Sequence, residues 1–410
     1  MGAVTDVAII GAGPYGLSLA AYLATAGLNI RVFGQPMHTW RNRMPEGMVL
    51  KSEGFASNLW HPENKLTLKE YCHDHGLPYQ DTGLPVPLQT FCDYGVAFQR
   101  RFVPMLDERW VTSLDRNRDY FTLRLDSDEV VTARRVVIAA GIASFDYTPP
   151  ELDAVKGPLC SHSIDHHLLG GFAGQRVLII GGGASGIGLA ALMSPKGADV
   201  SVAARRSYIP YCDPPRPRSL LERIQEPETG LGYGWRSLAC VYAPLLFYQM
   251  PRDLRHLVVR KHLGPAPGWT SREVVERDVN VILGAKLAGS RRVGDKALVT
   301  LRIDNEGERV VEVDHVIAAT GFKVDMRRLR FLGPTIRETL RCSDYTPELS
   351  THFETSVPGL FVVGTAAANN FGPLMRFAYG AGFASRRLSA YLVRTAARRR
   401  LFAEPELAAA

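Results

Sequence analysis

Two stretches of the chain, 170 positions apart, share one pattern. Val7–Phe33 reads VAIIGAGPYGLSLAAYLATAGLNIRVF, and Val177–Arg205 reads VLIIGGGASGIGLAALMSPKGADVSVAAR. In each, an apolar run of strand length meets a glycine turn, an Ala/Leu-rich segment of helical composition, and a second run rich in Val or Ile. The parallel continues downstream. Arg135–Gly141 (RVVIAAG) and His315–Gly321 (HVIAATG) each follow alternating, turn-broken residues that predict antiparallel strands. Those strands are Trp110-Val111 and Tyr120–Leu125 in the first unit, and Val279–Leu283 and Ala297–Ile303 in the second. A unit repeated in this way predicts an α/β fold with two similar domains.

The glycines state what each unit is for. Gly11-Ala12-Gly13-Pro14-Tyr15-Gly16 lies between a predicted strand and a predicted helix. The first glycine permits a tight turn, the second lets a diphosphate approach the backbone, and the third lets helix and strand pack closely. The diphosphate then meets the unpaired N–H groups that begin the helix. Gly181-Gly182-Gly183-Ala184-Ser185-Gly186 repeats the arrangement. One such turn is weak evidence; two in the same context predict two Rossmann-like, dinucleotide-binding domains. The second unit's strand ends in Ala203-Ala204-Arg205-Arg206. An acidic residue there would hold a ribose 2′-hydroxyl, whereas Arg205 and Arg206 suit a 2′-phosphate, which favours NADPH over NADH. The alternative for the pair is a solvated strand end. In the first unit the acidic position is Gly34, and Gln35 is the remaining candidate for the ribose.

A further strand, Leu360–Val363 before Gly364-Thr365, belongs with the first unit. The first domain is therefore expected to be discontinuous, 1–155 plus 316–410, with the second, 156–315, inserted into it. Residues 208–274 have no counterpart in the first unit and predict helices around Ser237–Phe247 and Arg252–His262. This insertion is either a lid or substrate-pocket element, or an ordinary packing or oligomer contact.

Composition sets the limits on partners. The chain has 410 residues, 46% hydrophobic and 22% charged, with a formal net charge of +7, as expected of a globular protein with a core. Much of the excess lies in Arg386-Arg387 and Arg398–Arg400. This reads as a surface that attracts anionic dinucleotides plus a solvated tail, and not as a nucleic-acid interface. The six cysteines contain no C-x-x-C, so neither a disulfide framework nor a zinc site is expected. Met1–Asp6 lacks a basic segment followed by a long apolar one, and no uncharged apolar run approaches the roughly 18 residues of a spanning helix. A cytoplasmic protein without an integral membrane segment is expected; oligomeric state is not read.

The order of these motifs, with ATG closing the second unit and VVGTA closing the first, resembles the class B flavin-dependent monooxygenases over nearly the whole chain. His38-Thr39-Trp40-Arg41 resembles that family's Trp-containing segment crossing the flavin, and Met48–Leu59 (MVLKSEGFASNL) the loop beside it. Together with GAGPYGLSLAAYL and NNFGPLMRFAYGAGFASRRL, that run is similar to a bacterial branch named for FAD-dependent urate hydroxylation. The resemblance implies FAD on the first turn and NADPH on the second. NADPH would reduce the flavin, a 4a-hydroperoxyflavin would form with dioxygen, and one oxygen atom would pass to a small-molecule substrate. Ring hydroxylation, N-hydroxylation and Baeyer–Villiger insertion stay open.

It also implies roles for residues. Lys51 and Ser52 would hydrogen-bond flavin or nucleotide, and Asn58 would steady peroxide or substrate; the alternative for each is a loop cap or a surface role. Trp40, Val111, Gly141, Gly364 and Asn369 would lie against FAD. Asn370 would reach the flavin ring, and Phe371-Gly372-Pro373 would start a helix whose dipole faces the flavin's pyrimidine carbonyls. Arg376 would bind an anionic or polar substrate, or serve as a packing arginine. Thr320-Gly321 would lie beside the nucleotide, and His162 would coordinate hinge and nucleotide, although Val155-Lys156-Gly157 fits the linker signature imperfectly. His166 and His167 lack metal partners at suitable spacing. Three rivals remain: a disulfide reductase, for which no close cysteine pair is present; a flavoprotein oxidase or reductase without oxygen insertion; and a non-turnover flavin redox sensor.

Overall fold

A computed structural model describes residues 4–407, with side-chain surroundings through residue 397. Met1–Ala3 and the side chains of the Arg398–Arg400 patch lie outside the described residues. The apolar runs become strands of two five-stranded, wholly parallel sheets. The first has the order Leu360–Val362, Val136–Ile138, Val7–Ile10, Ile30–Phe33, Leu106–Asp107. The second has the order Cys160–His162, His315–Ala318, Arg176–Ile180, Asp199–Ala203, Asn280–Ile282. Strand by strand the two orders correspond, and a three-stranded antiparallel layer accompanies each. That layer is Val111–Asn117, Tyr120–Leu125 and Val130–Ala133 in the first unit, and Ala285–Val293, Lys296–Ile303 and Gly307–Val313 in the second.

Near-continuous Val and Ile suit strands covered on both faces, and the central strands of both sheets are buried apart from exposed Arg176 and half-buried His315. The helices Pro14–Ala24 and Ala184–Met193 follow the glycine turns, as a right-handed crossover between parallel neighbours requires.

Two expectations change. Val279–Leu283 does not join the antiparallel layer; Asn280–Ile282 pairs in parallel with Asp199–Ala203. The helix Arg272–Asp278 returns the chain to the sheet, and Gly284, at φ +64°, turns it before the antiparallel strands begin. His315–Ala318 is a strand of the second sheet, so the return crossing falls after Ala318 and not at 315–316. The insertion spans both units: Ile209 and Tyr211 pack against the second unit's core, while its helices pack on the first. Leu231 and Cys240, with half-buried Val241, Leu245, Tyr248, Val259 and Leu263, join the first unit's core cluster. The expected helices are Trp235–Tyr242, Pro244–Gln249 and Arg252–Lys261. No helix among the described residues is long and apolar enough to cross a membrane.

Candidate functional site

The two glycine turns impose matching constraints. Gly11 has φ +115° and Gly181 φ +127°, a region that L side chains rarely adopt. A Cβ on Gly11 would lie 2.3 Å from the Ala139 carbonyl oxygen, and one on Gly181 would lie 2.4 Å from that of Ala319. At Gly16 and Gly186 a Cβ would meet the carbonyl oxygen of the turn's own first glycine at 1.8 and 1.9 Å. The backbone bonds match as well: Gly11 N–H donates to Phe33 O, and Gly181 N–H to Ala203 O, both at 2.9 Å. Gly13 and Gly183 occupy the N-cap positions of their helices, and neither cap is closed by a side chain. Such turns leave N–H groups for an anion. Around the first turn the space is open, since a Cβ on Gly13 would meet nothing within 4 Å.

Arg205 and Arg206 are exposed just after the second sheet's strand, and neither guanidinium has a partner among the described residues. At the corresponding point of the first unit, Gln35 Oε1 lies 2.8 Å from His38 Nδ1, and His38 meets Trp110 edge-on. Val111 enters the antiparallel layer opposite Leu125. Trp40 packs edge-on against Phe91, half-buried on the first unit's core.

Tyr15 is more than a spacer. Its hydroxyl donates to Phe377 O at 2.9 Å and lies 3.1 Å from Met375 O, so the first turn is clamped to the chain's C-terminal region. Burial raises its phenol well above the ordinary value. Gly364, at φ +78°, passes 3.6 Å from the Tyr15 ring, measured from where a Cβ would stand.

The structure reassigns several candidate side chains. Ser52 shares a hydrogen bond with Ser57, at 2.8 Å, while Lys51 is exposed and has no partner among the described residues. Asn58 donates to Phe55 O at 2.9 Å and accepts from Leu68 N at 2.7 Å; its amide ties two loops together. Asn370 is buried, donates to Pro347 O and accepts from Leu349 N, so it is turned to the 347–349 backbone. Asn369 donates to Thr346 Oγ1. Both asparagines line a cleft of about 400 Å³ with Tyr248, Arg255 and Arg341. The helix expected from Phe371 onward is interrupted. Ala368–Phe371 stops at Gly372, with φ +89°, Pro373–Arg376 is one 3-10 turn, and the long helix begins only at Ala381. A single 3-10 turn supplies far less dipole than the uninterrupted helix expected.

Arg376 is also not free for a substrate. It donates to Val259 O at 3.1 Å, His262 O at 3.1 Å and Leu263 O at 2.8 Å, capping the last turn of Arg252–Lys261. The partners are separated from it by more than 100 residues, and no local pattern signalled them. The segment that follows this helix, Gly264–Pro267, falls within the 208–274 insertion read as a lid or packing element, but its Gly/Pro composition reads only as a loop and singles out no residue of it.

The crossings between the units are paired. Asp146 and Phe322 form an antiparallel bridge, Tyr147 N donates to Gly321 O, and Thr320 donates to Tyr147 O. Gly141, at φ +67°, precedes one crossing and Gly321, at φ +83°, lies in the other. His162 is buried beneath them. Its Nε2 donates to Gly321 O at 3.1 Å, and its Nδ1 accepts from Ile164 N at 3.2 Å. Burial holds the imidazole below its ordinary pKa. Both ring nitrogens are thus committed to the hinge, leaving none for a nucleotide.

Residues 5–227, more than half of the chain, match the pyridine nucleotide-disulphide oxidoreductase family. The chain belongs to that family. A ferredoxin–NADP reductase of Gluconacetobacter diazotrophicus is 25% identical over 271 residues, covering 65% of this chain and 62% of that protein. An indole-3-pyruvate monooxygenase of Oryza sativa subsp. japonica is 27% identical, covering 50% and 48%. The chain therefore spans less than two thirds of the length of these curated relatives. Among solved structures, an ornithine N-hydroxylase of Kutzneria sp. 744, with reduced FAD, NADP⁺ and L-ornithine, superposes with a TM-score of 0.76 at 16% identity, covering 96% of this chain and 100% of that one. A bacillithiol disulfide reductase of Staphylococcus aureus gives 0.64 at 16% identity, covering 95% and 98%. At these identities the likeness is one of fold.

Proposed function

We propose that this chain is a flavin-dependent monooxygenase that holds FAD on the Gly11–Gly16 turn and NADPH on the Gly181–Gly186 turn. The observation that carries the reading is the duplication: two turns whose first and third glycines carry matching steric constraints, each at the end of the central strand of its own parallel sheet. The fold likeness to an N-hydroxylase that carries FAD and NADP⁺ supports the same pairing of cofactors. When bound, FAD would take a hydride from NADPH and activate dioxygen for transfer of one oxygen atom to a small organic molecule. The protein's part is to grip and orient. The first turn and Gly364 cradle one dinucleotide, and Arg205 and Arg206 read the 2′-phosphate of the other. The substrate classes that fit the resemblance are an amine undergoing N-hydroxylation and a purine such as urate.

A second reading, an NADPH-dependent reductase without oxygen insertion, is favoured by the reductase among the relatives. Disulfide reduction is disfavoured by the thiols. All six cysteines are free; burial pushes Cys92 up to about 12 and Cys160 up to about 11, away from the thiolate that exchange needs.

The test has two stages. Purified protein should be yellow, and anaerobic NADPH should bleach it. In air, a panel of amines and purines should include one that raises NADPH consumption above background and gains one oxygen atom by mass. Hydrogen peroxide released in full stoichiometry with every substrate, together with efficient reduction of ferredoxin, would establish the reductase reading instead. A flavin that NADPH fails to bleach would point to a redox sensor, and a colourless protein unable to take up FAD would refute all three.

A further inference from the structure

The two turns match in backbone and differ in cover. Where Gly13 faces open space, Gly183 faces Pro265: a Cβ there would lie 3.2 Å from both the Pro265 ring and its carbonyl oxygen. That oxygen accepts the Ala184 N–H at 3.0 Å. Ala184 is the first residue of its helix, so this N–H is one that the turn would offer a diphosphate. The neighbouring Gly264 comes within 3.8 Å of Arg206 Nη2, again from the position of a Cβ. A strap from the insertion thus lies across two groups that a 2′-phosphorylated dinucleotide would use.

The strap is held at both ends. Pro267 O accepts the Cys212 N–H at 2.9 Å. At the other end Arg376 grips the carbonyls of Val259, His262 and Leu263. Leu263 takes φ +56°, a left-handed conformation that a leucine adopts only under constraint, and it directs the chain onto the second turn. Arg376 itself belongs to the segment that Tyr15, of the first turn, clamps through the carbonyls of Met375 and Phe377. An unbroken series of contacts therefore runs from one glycine turn to the other: Tyr15, residues 375–377, residues 259–263, Pro265 and Ala184.

We infer that the strap His262–Gly268 is an intramolecular competitor for the second glycine turn, and that Arg376 is the positioning residue that sets how firmly it competes. This rests on the nicotinamide reading of that turn and goes beyond it. A dinucleotide must break the Pro265 O···H–N Ala184 bond and lift the Pro265 ring before its diphosphate reaches the helix start. Loosening the strap therefore strengthens nucleotide binding. A residue that contacted the nucleotide or substrate directly would act in the opposite direction when removed.

The experiment is NADP⁺ titration by calorimetry on the FAD-loaded full-length protein. Pro265→Gly leaves the surface intact, because Pro265 is exposed, and raises the cost of ordering the docked strap. Arg376→Gln removes its anchor, and Arg376→Lys keeps the charge while reaching fewer carbonyls. Releasing one hydrogen bond of ordinary net strength corresponds to roughly a three- to tenfold change in an equilibrium constant. NADP⁺ should bind about that much more tightly to Arg376→Gln, with Arg376→Lys between wild type and Gln, and about two- to fivefold more tightly to Pro265→Gly. Retention of the yellow flavin in each variant establishes that it is folded; Pro265→Gly carries the test should Arg376→Gln lose it. Equal or weaker NADP⁺ binding in the variants, with wild type binding normally, overturns the inference and leaves the nicotinamide reading standing. No NADP⁺ binding by wild type or any variant overturns both.

Discussion

Arg205 and Arg206 follow the strand Asp199–Ala203 with two exposed guanidiniums that have no partner among the described residues, and the lack of a neighbouring carboxylate there is what makes them available. A phosphate contact by arginine is charge-assisted and stronger than an ordinary hydrogen bond. Arg205→Ala should raise the KM for NADPH by at least about tenfold and leave that for NADH nearly unchanged; an equal loss with both nucleotides would mean the residue reads something other than the 2′-phosphate. Asn58 makes the contrasting case. Its amide joins Phe55 O to Leu68 N, so Asn58→Ala should cost about 1–2 kcal/mol of stability, seen as a lower Tm, without changing the coupling of NADPH use to oxygenation. Such roles divide by range. The glycine requirements and the arginine pair are local and can be read from the sequence. The commitments of Asn370 and Arg376 are made to backbone 20 to more than 100 residues away, and a sequence carries no mark of them.

At the scale of elements, the repeat made the two sheets legible, because buried parallel strands announce themselves as short Val/Ile runs between glycine turns and helices. Boundaries were less legible. Asn280–Ile282 has the composition of either sheet or hairpin, and only its preceding helix makes it parallel. The C-terminal helix starts at Ala381 and not near Phe371, since Gly372 turns the chain and Gly380 packs too closely for a Cβ, 2.4 Å from both Leu374 O and Tyr15 Oη. The duplication permits a paired test. Gly11→Ala would set a methyl 2.3 Å from Ala139 O at φ +115°, and Gly181→Ala would set one 2.4 Å from Ala319 O at φ +127°. The first should yield protein without bound flavin. The second should stay yellow yet resist bleaching by NADPH. Absorbance spectra before and after anaerobic NADPH distinguish them, and loss of flavin from both would show that the two units do not bind independently.

Across the whole molecule, the region joining the two units is unusually rich in imidazoles that the fold keeps neutral. His162 clasps the return crossing through Gly321 O. Ser161, on the edge strand of the second sheet, stands 2.6 Å from His166 Nε2 and 2.7 Å from His315 Nε2. A hydroxyl has one proton to give, and the Pro158 carbonyl favours a proton on His315. The consistent order is that His166 donates to Ser161, which donates to His315. Burial lowers all three imidazoles; His166, with the His315 imidazole adding to the effect, falls to about 4, against the nearby Asp165. The sign follows from linkage. Below about pH 6.5 the unfolded chain binds protons that the folded one refuses, so stability is complete above that pH and declines as pH falls toward 4. His166 alone accounts for a decline of order 2–3 kcal/mol over that interval. Asp107, held at about 2 by Arg109 and Arg31, loses its contribution only below the ordinary carboxylate range, so its share of acid unfolding lies at lower pH. Thermal denaturation followed from pH 8 to pH 4 should therefore show a flat Tm down to about 6.5 and a steady fall below it. His166→Gln, which cannot ionise, should shallow that fall while leaving the lower-pH loss in place. An acid limb of unchanged slope in the variant would mean that the protons are taken up elsewhere, and that the crossing between the two units is not the acid-sensitive part of the molecule.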